Sequence, residues 1–387
     1  MELPKSVKYI IDTLRSAGYR ADAVGGAVRD LFIGRACDDY DVTTNALPDE
    51  VCAVFSSHRI IETGIKHGTV TVMVDGEPFE VTTYRLDGEY TDSRHPEQVS
   101  FTDDLEQDLL RRDFTMNAIC YNHIDGFFDP YDGRGDIRRG LIRAVGEPER
   151  RFTEDALRIL RAVRFSSVLG FAIDPDTDRA LRDKAHLLDN ISRERIRVEL
   201  DKLVGGVDAR RVLTDYSDVL LRVLPDLDRI ELPSGFDAES GEIRLMSLFL
   251  GYGDGADRFD RAMLGLRADN RTRLDGVRAL TAFGMPYGSR RDLRLIIMKF
   301  DESTAERTVA LHRAVGEDTA DAERLLGEIL LDKDPCKISQ LAIGGRELLA
   351  LGYRGADIGN TLERLLMAVI DGQADNTPEG LFALVSK

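Results

Sequence analysis

The chain has 387 residues, of which 43% are hydrophobic and 31% charged, so it is long enough for several domains with packed cores and is not a disordered protein. The formal net charge of −17 argues against loose, non-specific binding to nucleic acid and predicts no DNA partner, although a specific site for nucleic acid stays open. No stretch is apolar enough for a transmembrane helix, the N-terminus lacks the pattern of a signal peptide, and the four cysteines lack metal-ligand spacing, so we expect a cytoplasmic protein with free thiols and no membrane contact.

The first third of the chain has mixed helix and strand character. Residues 6–17 form an amphipathic pattern that predicts a helix, and residues 39–43 read as a short strand. Residues 68–74 and 79–84 are rich in β-branched side chains on either side of a turn-prone Asp-Gly-Glu-Pro segment, which predicts a hairpin. These elements predict an α+β domain that ends near residue 147.

Two aspartates stand out in the predicted short strand. Asp39 and Asp41 lie two positions apart, so their side chains leave the same face, where a pair of carboxylates suits Mg²⁺. Such a pair alone is more often a pair of surface charges. Here it follows Gly25, Gly26 and Arg29, and paired glycines let a backbone approach a triphosphate while an arginine supplies charge-assisted hydrogen bonds to its oxygens. The combination predicts a site for Mg²⁺ and a nucleoside triphosphate.

Residues 25–45 resemble the head signature of the class II tRNA nucleotidyltransferase and poly(A) polymerase family, which belongs to the polymerase β superfamily. The resemblance implies a polymerase β-like head with a mixed sheet, in which Asp39 and Asp41 are the catalytic residues and hold two Mg²⁺ ions. One ion would activate an RNA 3′-hydroxyl, and the other would hold the triphosphate for in-line attack with pyrophosphate leaving.

Other positions in the head follow from the same resemblance. The resemblance implies that Gly26 and Arg29 bind the nucleotide and that Gly25 supports this binding site. Glu80 is implied as a third carboxylate of the metal site, and a surface glutamate at a strand end is the competing interpretation. Asp38 departs from the family, which usually has a basic residue at that position.

Residues 87–98 are polar, turn-prone and without periodicity, which is typical of a surface loop. In the family this segment is a flexible loop associated with addition of the terminal A. Enzymes that add only two cytidines tend to have it shortened. Its presence here favours a complete CCA-adding enzyme or an A-adding enzyme.

Residues 111–119 resemble the next family motif. The resemblance implies that Arg112 contacts the nucleotide phosphates, while Asp113 and Asn117 organise the site and the ribose. Residues 129–143 resemble the motif that links head to neck. The sequence leaves open whether the arginines of that motif form buried ion pairs or contact RNA; they are Arg138, Arg139 and Arg143.

Residues 153–165 predict a helix with Thr153 as its N-cap and with a basic face. A basic outer face is common on amphipathic helices, and that is the alternative interpretation. The motif E-D-x-x-R from Glu154 to Arg158 resembles the protein template that the family uses for the incoming base. Its Asp155 can only accept hydrogen bonds when ionised, and Arg158 can only donate them.

This acceptor–donor pair matches cytosine and adenine, which both offer an exocyclic amine and a ring-nitrogen acceptor. Uracil and guanine invert that pattern, and an unpaired buried polar group costs on the order of 1–3 kcal/mol. The template therefore implies CTP and ATP as substrates. Arg161 and Arg164 are implied to hold the triphosphate or to adjust the template. Residues 191–200 resemble a family segment in which Arg193 and Arg197 link neck helices without a catalytic role.

The rest of the chain reads as helices broken by turns. Four domains are predicted: a catalytic head 1–147, a base-selecting neck 148–205, a helical body 206–300 and a helical tail 301–387. Residues 343–375 resemble the tail of bacterial members, which implies binding of the tRNA acceptor and TΨC arms by shape and phosphate contacts. Arg290, Arg291 and Arg294 are either contributors to that binding or surface charges.

The ordered motifs together predict a CCA tRNA nucleotidyltransferase that adds C, C and A to tRNA 3′ ends from CTP and ATP. An A-adding enzyme and a poly(A) polymerase of the same family are the alternatives within that class. A non-catalytic RNA-binding protein with a decayed site is the alternative of a different class. The intact Asp39, Asp41, Arg112 and Asp155 argue against it.

Overall fold

The computed structural model describes residues 2–37, 39–62, 64–87 and 99–385. Asp38 and nearly all of the predicted surface loop 87–98 lie outside these residues. The chain divides into two compact units, Met1–Val223 and Leu224–Lys387, each with hydrophobic core clusters of its own.

The first unit is built around a mixed β-sheet. Its strands are β1 (Ala21–Val24), β2 (Asp41–Thr44), β3 (Ile60–Ile61), β4 (Thr69–Val74), β5 (Glu77–Thr83), β6 (Arg85–Asp87), β7 (Val99–Phe101), β8 (Cys120–Asn122), β9 (Gly126–Phe128), β10 (Leu141–Ile142) and β11 (Ala172–Ile173). Among the described residues, seven of them form one sheet in the order β3-β4-β5-β2-β1-β8-β9. Strands β2 and β5 run parallel, and the other neighbours run antiparallel.

The hairpin predicted between residues 68 and 84 is confirmed as β4 and β5. The valines Val70, Val72 and Val74 alternate along β4 and point into the core. The turn is shorter than predicted, because Asp75 and Gly76 both adopt positive φ, at +52° and +86°. Asp-Gly favours the two-residue hairpin turn that needs this conformation, so β5 begins within the segment predicted as turn.

Helices cover the sheet of the first unit and continue beyond it. They are α1 (Lys5–Ser16), α2 (Gly26–Phe32), α3 (Pro48–Val54), α4 (Leu105–Leu110), α5 (Gly133–Arg139), α6 (Pro148–Glu154), α7 (Leu157–Leu169), α8 (Pro175–Lys184), α9 (Arg193–Val204), α10 (Ala209–Asp215) and α11 (Ser217–Val223). The helix predicted over residues 6–17 is confirmed as α1, and its buried face consists of Val7, Ile10, Ile11 and Leu14.

The single helix predicted over residues 153–165 is wrong, because α6 and α7 meet there at a break. Thr153 is not an N-cap: it lies inside α6, where its Oγ1 donates to the carbonyl oxygen of Glu149 (2.8 Å). The earlier start is set by Pro148, since proline fits the first turn of a helix, where its missing N–H has no helical partner. The chain leaves α6 at Asp155, which is extended with φ −138°. Asp155 therefore lies between two helices and not on a helical face.

The regular elements of the second unit are all helices in its described residues. Its helices are α12 (Gly241–Ser247), α13 (Gly255–Gly265), α14 (Asn270–Phe283), α15 (Arg290–Lys299), α16 (Glu302–Ala314), α17 (Ala320–Asp332), α18 (Gly345–Ala350), α19 (Ala356–Ile370) and α20 (Pro378–Val385). One core includes Leu293 and Ile296, and another includes Leu365 and Leu381. The finer division at residues 147, 205 and 300 stays a prediction. In the part of the chain that the structure describes, no helix combines the length and apolar character needed to cross a membrane.

Three arginines of α15 connect this helix to other segments of the second unit. Arg290 and Arg291 form ion pairs with Asp334 (2.8 Å) and Asp371 (2.6 Å). Arg294 is only 8% exposed, and its Nη2 donates to a backbone carbonyl oxygen at 2.8 Å. Each of the three arginines therefore has a partner within the protein. The contribution of these arginines to tRNA binding stays a prediction.

Candidate active site

The turn between β1 and α2 forms the first part of the site. Gly25 has a φ of +78°, which L side chains rarely adopt, and α2 begins at Gly26. A Cβ atom on Gly25 would lie 3.0 Å from Nη1 of Arg112. The turn therefore favours glycine, and a Cβ at this position would shift the Arg112 guanidinium by a few tenths of an ångström.

Asp41 lies beside Glu80 at the start of β2. The two residues are register partners in the parallel pair β2–β5, and Val24 is the partner of Asp41 on its other side. Burial has the largest effect on Asp41 and raises its pKa, which Arg112 partly offsets. The charges of Asp39 and Glu80 raise the pKa of Asp41 further, to about 6. Three carboxylates and one guanidinium therefore interact at this point.

The oxygen donors around Asp41 fit a hard divalent cation. Mg²⁺ is commonly held by one or two carboxylates, and substrate phosphates and water complete its shell. A cation would also relieve the like-charge repulsion from Asp39 and Glu80 that raises the pKa of Asp41. Among the described residues, no three His, Cys, Asp or Glu side chains form a group that could hold a metal ion on their own. Glu80 is thus a neighbour of the pair, and its role as a third ligand stays a prediction.

Arg112, just beyond α4, supplies positive charge to this site. Its Nη2 lies 3.8 Å from Oδ2 of Asp108, and its Nε is buried without a hydrogen-bond partner. Asp108 is fully buried and also accepts from Nε of Arg111 (2.9 Å), so it anchors both arginines. Asp108 was not among the residues predicted for the site. The signal was its place on the buried face of α4, together with Leu105 and Leu109.

Arg29 lies in a buried chain of hydrogen bonds. It is 7% exposed, and it donates from Nη1 to Oδ1 of Asn117 (2.6 Å) and from Nε to Oδ1 of Asp30 (3.0 Å). Asn117 donates through Nδ2 to Oδ1 of Asp113 (2.9 Å), and Oδ2 of Asp113 accepts from Nη2 of Arg161 (2.6 Å). This chain joins α2 to α7 through Asn117 and Asp113, and the role of these two residues in organising the site and the ribose stays a prediction. Arg29 thus donates its hydrogen bonds to acceptors within the protein, and its contact with a triphosphate stays a prediction.

Phe165 is the centre of an arginine cluster that the sequence analysis missed. The guanidinium carbons of Arg164, Arg29 and Arg161 lie 3.6, 4.8 and 5.4 Å from its ring centroid. Such cation–π contacts attract a cation to the face of an aromatic ring. Arg164 also donates from Nε to Oε2 of Glu199 (2.8 Å). The two α7 arginines that were predicted to hold the triphosphate or adjust the template therefore share one aromatic support with Arg29.

Asp155 and Arg158 lie at the break between α6 and α7, each with its own partners. Asp155 accepts from the backbone nitrogen of Leu157 (3.0 Å) and from Nη2 of Arg195 (2.9 Å). Arg158 is 8% exposed and donates from Nη1 to Oε2 of Glu154 (3.1 Å) and from Nη2 to a backbone carbonyl oxygen (2.7 Å). The acceptor and the donor of the predicted template are thus both held in place, and Glu154 supports Arg158 directly.

Two of the three arginines in the segment predicted to link head and neck, Arg139 and Arg143, form ion pairs. Asp136 is 1% exposed and accepts from Nη2 of Arg139 (2.6 Å) and from Nη2 of Arg143 (3.1 Å). The guanidinium carbon of Arg138 lies 5.4 Å from the ring centroid of Phe32. All three arginine side chains therefore have a contact within the protein, and whether they contact RNA stays open.

Comparisons with known proteins identify the family of the chain. The family model described as the Poly A polymerase head domain matches residues 21–143, and the model described as the probable RNA and SrmB-binding site of polymerase A matches residues 170–230. A CCA-adding enzyme of Lactobacillus helveticus is 35% identical over 383 residues, which cover 96% of this chain and 94% of that protein. The chain belongs to the CCA-adding enzyme family.

Further members of the family support the assignment. A CCA-adding enzyme of Geobacillus stearothermophilus is 53% identical over 204 residues, a match that spans 53% of this chain and 50% of that relative. The solved structure of the Bacillus stearothermophilus CCA-adding enzyme in complex with CTP is similar with a TM-score of 0.82 and 33% identity, covering 100% of this chain and 97% of that one. The predicted family and fold class are confirmed, and this member of the CCA-adding enzyme family is a nucleotidyltransferase.

Gly25→Ala is expected to lose activity beyond the effect of backbone strain, because the new Cβ would displace Arg112. Gly18 is a matched control, since its φ is +95° and a Cβ there would meet nothing within 4 Å. Each substitution should lower the free energy of unfolding by about 1–2 kcal/mol, measured by urea titration. Only Gly25→Ala should also lower kcat for CTP incorporation, by about 10–100-fold. Equal rates in the two variants would contradict the proposed contact.

Asp113→Asn is expected to destabilise the protein in a pH-dependent way. Burial has the largest effect and would raise the pKa of Asp113, but Arg161 and Asn117 together outweigh it and lower the pKa from 3.8 to about 2. Because the folded-state value is the lower one, the carboxylate stabilises the fold above pH 4, and the contribution is lost as the pH falls through about 2. In urea titrations the free energy of unfolding of Asp113→Asn should be lower than that of the wild type by about 2 kcal/mol at pH 7 and by about half of that at pH 3. A difference that does not shrink in acid would show that the Asp113 charge is not the cause.

Proposed function

We propose that this chain is a CCA tRNA nucleotidyltransferase, which adds C, C and A to the 3′ end of tRNA from CTP and ATP and releases pyrophosphate. The observation that carries the proposal is the presence of two connected sites in one unit. One is the acidic site at Asp41 beside Arg112, and the other is the acceptor–donor pair of Asp155 and Arg158. Arg158 donates to the carbonyl oxygen of Arg111, so the base-reading segment contacts the residue next to the phosphate-binding arginine.

The proposed cofactor is Mg²⁺, held by Asp39 and Asp41 with Glu80 as a neighbouring carboxylate. Nucleotidyltransferases of the polymerase β type generally use a divalent metal, which supports this assignment. When bound, the metal supplies positive charge that activates the attacking hydroxyl and stabilises the triphosphate. A carboxylate must be ionised to bind a metal, so the pKa of about 6 at Asp41 implies that affinity rises as the pH increases through 6.

Arg112 is proposed to bind the triphosphate. Its guanidinium lies against the Gly25 turn and beside Asp41, and its buried Nε has no protein acceptor. A guanidinium forms charge-assisted hydrogen bonds to phosphate oxygens, and a buried donor without a partner costs free energy until an acceptor arrives. Gly25 and Gly26 carry no side chain, so the triphosphate could approach the backbone between the arginine and the acidic pair.

Asp155 and Arg158 are proposed to select the base by its hydrogen-bond pattern. Asp155 accepts two hydrogen bonds here, and a carboxylate has about four acceptor sites. Arg158 forms three hydrogen bonds, and a guanidinium has five donors. Each side chain therefore retains capacity for the Watson–Crick edge of cytosine or adenine. Arg161 and Arg164 would fix the orientation of the same helix.

The RNA partner is proposed to be tRNA, with the tail 301–387 on the acceptor and TΨC arms. The match of residues 170–230 to a probable RNA-binding region supports an RNA partner. Recognition through shape, phosphates and 2′-hydroxyls suits an A-form acceptor arm. A cytoplasmic location is proposed as well, supported by four cysteines of which none forms a disulfide in the described residues. Within this proposal the head 1–147, the neck 148–205 and the body 206–300 keep their predicted roles.

The test offers the purified protein three tRNA transcripts that end before CCA, after C and after CC. CTP and ATP are supplied separately and together with Mg²⁺, and products are resolved to single nucleotides. Every transcript should be completed to CCA and then stop. Extension of the CC-ended transcript alone would show an A-adding enzyme, and long runs of A would show a poly(A) polymerase. Binding of tRNA without any incorporation would overturn the enzyme assignment.

A further inference from the structure

Arg195, on α9, contacts the base-reading carboxylate. Its Nη2 donates to Oδ2 of Asp155 at 2.9 Å, and the two side chains are 25% and 18% exposed. Nη1 of Arg195 is buried and has no hydrogen-bond partner. An unsatisfied buried donor costs free energy, so the guanidinium is held at this position by its contact with Asp155.

The contact matters because little else fixes the carboxylate of Asp155. The residue lies in the break between α6 and α7, with φ −138° and ψ 102°, so no helical turn orients its side chain. The other hydrogen bond that it accepts comes from the backbone nitrogen of Leu157 (3.0 Å) to Oδ1. One donor on each oxygen therefore determines the plane of the carboxylate, and Arg195 supplies the donor on Oδ2.

The same face of α9 also orients the arginines of α7. Glu199 lies one helical turn after Arg195, is 6% exposed, and accepts from Nε of Arg164 (2.8 Å). Its Oε1 lies 3.8 Å from Nη1 of Arg161. Helix α9 thus places a cation against the acceptor of the template and an anion against its flanking arginines.

We propose that Arg195 is a positioning residue for base selection. This proposal rests on the proposed function. By occupying one site on Oδ2, it fixes the carboxylate of Asp155 so that the remaining acceptor sites face the exocyclic amine of cytosine or adenine. Without Arg195 the carboxylate can rotate about its side-chain bonds, and water can meet its oxygens in many orientations. A uracil O4 then no longer faces a fixed acceptor, so the rejection of UTP weakens together with the binding of CTP.

The test compares Arg195→Gln with Arg197→Gln, a matched control on the same helix. Arg197 donates to Asp201 one turn further along α9 (2.8 Å) and not to the template. Incorporation of CTP and UTP onto a transcript that ends before CCA gives kcat/KM for each nucleotide. In Arg195→Gln the CTP-to-UTP ratio should fall by about 10-fold or more, as expected for the loss of one charge-assisted hydrogen bond. In Arg197→Gln the ratio should match the wild type.

Arg195→Lys keeps the charge with a different shape and should give a ratio between those of the wild type and Arg195→Gln. Thermal unfolding of each variant is measured alongside. A parallel loss for CTP and UTP in Arg195→Gln, with the ratio unchanged, would show a purely structural role and overturn the inference. If Arg195→Gln does not fold, a wild-type ratio in Arg195→Lys overturns it in the same way. If the wild-type protein incorporates neither CTP nor ATP, the proposed function itself is overturned. Failure of the inference about Arg195 is thereby distinguished from failure of the proposed function.

Discussion

Asp41→Asn is expected to abolish nucleotide incorporation, with kcat lower by about 10³-fold or more. The amide is neutral and coordinates a divalent cation weakly, so the several kcal/mol of charge stabilisation that a metal contributes would be lost. Single-turnover extension of a tRNA transcript with saturating CTP and Mg²⁺ measures this. Asp39→Asn should give a similar loss, because the two carboxylates are proposed to hold the same metal. Asp39 is close enough to Asp41 for its charge to raise the pKa of Asp41. Incorporation at the wild-type rate in either variant would remove the acidic pair from the mechanism.

Stability separates a catalytic loss from a folding defect in this experiment. The pKa of Asp41 is raised to about 6, so the ionised carboxylate destabilises the folded chain above that pH, and the penalty disappears as the pH falls below 3.8. Asp41→Asn should therefore unfold at a higher temperature than the wild type at pH 8 in a metal chelator. Mg²⁺ should raise the unfolding temperature of the wild type and not that of the variant. A destabilised variant would mean that lost structure explains the lost activity.

Asp75→Asn is the matched control for the acidic pair. Asp75 is exposed in the turn between β4 and β5, at the end of that hairpin away from Glu80, and has a φ of +52°. Asparagine tolerates this left-handed conformation as well as aspartate does. Removing one acidic group there should leave both incorporation and the effect of Mg²⁺ on unfolding as in the wild type. A loss of activity in this control would indicate a general effect of charge.

The head could be predicted from sequence because its signals are local. Alternating valines marked β4, and paired glycines marked the turn before α2. Two aspartates marked the predicted acidic site, but the strand predicted over residues 39–43 begins only at Asp41, so Asp39 precedes β2 and the two side chains do not share a strand face. The register that brings Glu80 beside Asp41 is different, because it depends on a parallel pairing of strands that lie far apart in the chain. Sequence resemblance could suggest Glu80, but only the sheet places it next to the pair.

The neck shows where local signals were insufficient. The spacing of Arg158, Arg161 and Arg164 suggested one basic outer face, yet Arg158 is buried and Arg164 lies over Phe165. Their partners come from distant segments, such as the carbonyl oxygen of Arg111 and the carboxylate of Glu199, which no helical pattern can reveal. Sequence thus predicted which side chains carry the chemistry, and it misjudged the surroundings that orient them.

Asp155→Asn is the second substitution with a large expected effect. The amide keeps an oxygen that can accept from the backbone nitrogen of Leu157, so the break between α6 and α7 should survive. The charge is lost, and the amide presents donors where the carboxylate presented only acceptors. The kcat/KM for both CTP and ATP should fall by about 100-fold, and the preference for CTP over UTP should fall by a similar factor. Arg179→Asn, on the exposed surface of α8, is the control and should change neither value.

Arg158→Ala should differ from Asp155→Asn in a way that tests the template as a pair. Arg158 is 8% exposed and bonds to Glu154 and to the carbonyl oxygen of Arg111, so its removal leaves buried acceptors unpaired. We expect a loss of about 3–5 kcal/mol in the free energy of unfolding, together with the loss of base preference. Asp155→Asn should show the loss of preference with a smaller loss of stability, because Leu157 keeps an acceptor while Arg195 loses its charged partner. If both variants keep the preference for CTP and ATP over UTP and GTP, the base is read elsewhere and the template assignment fails.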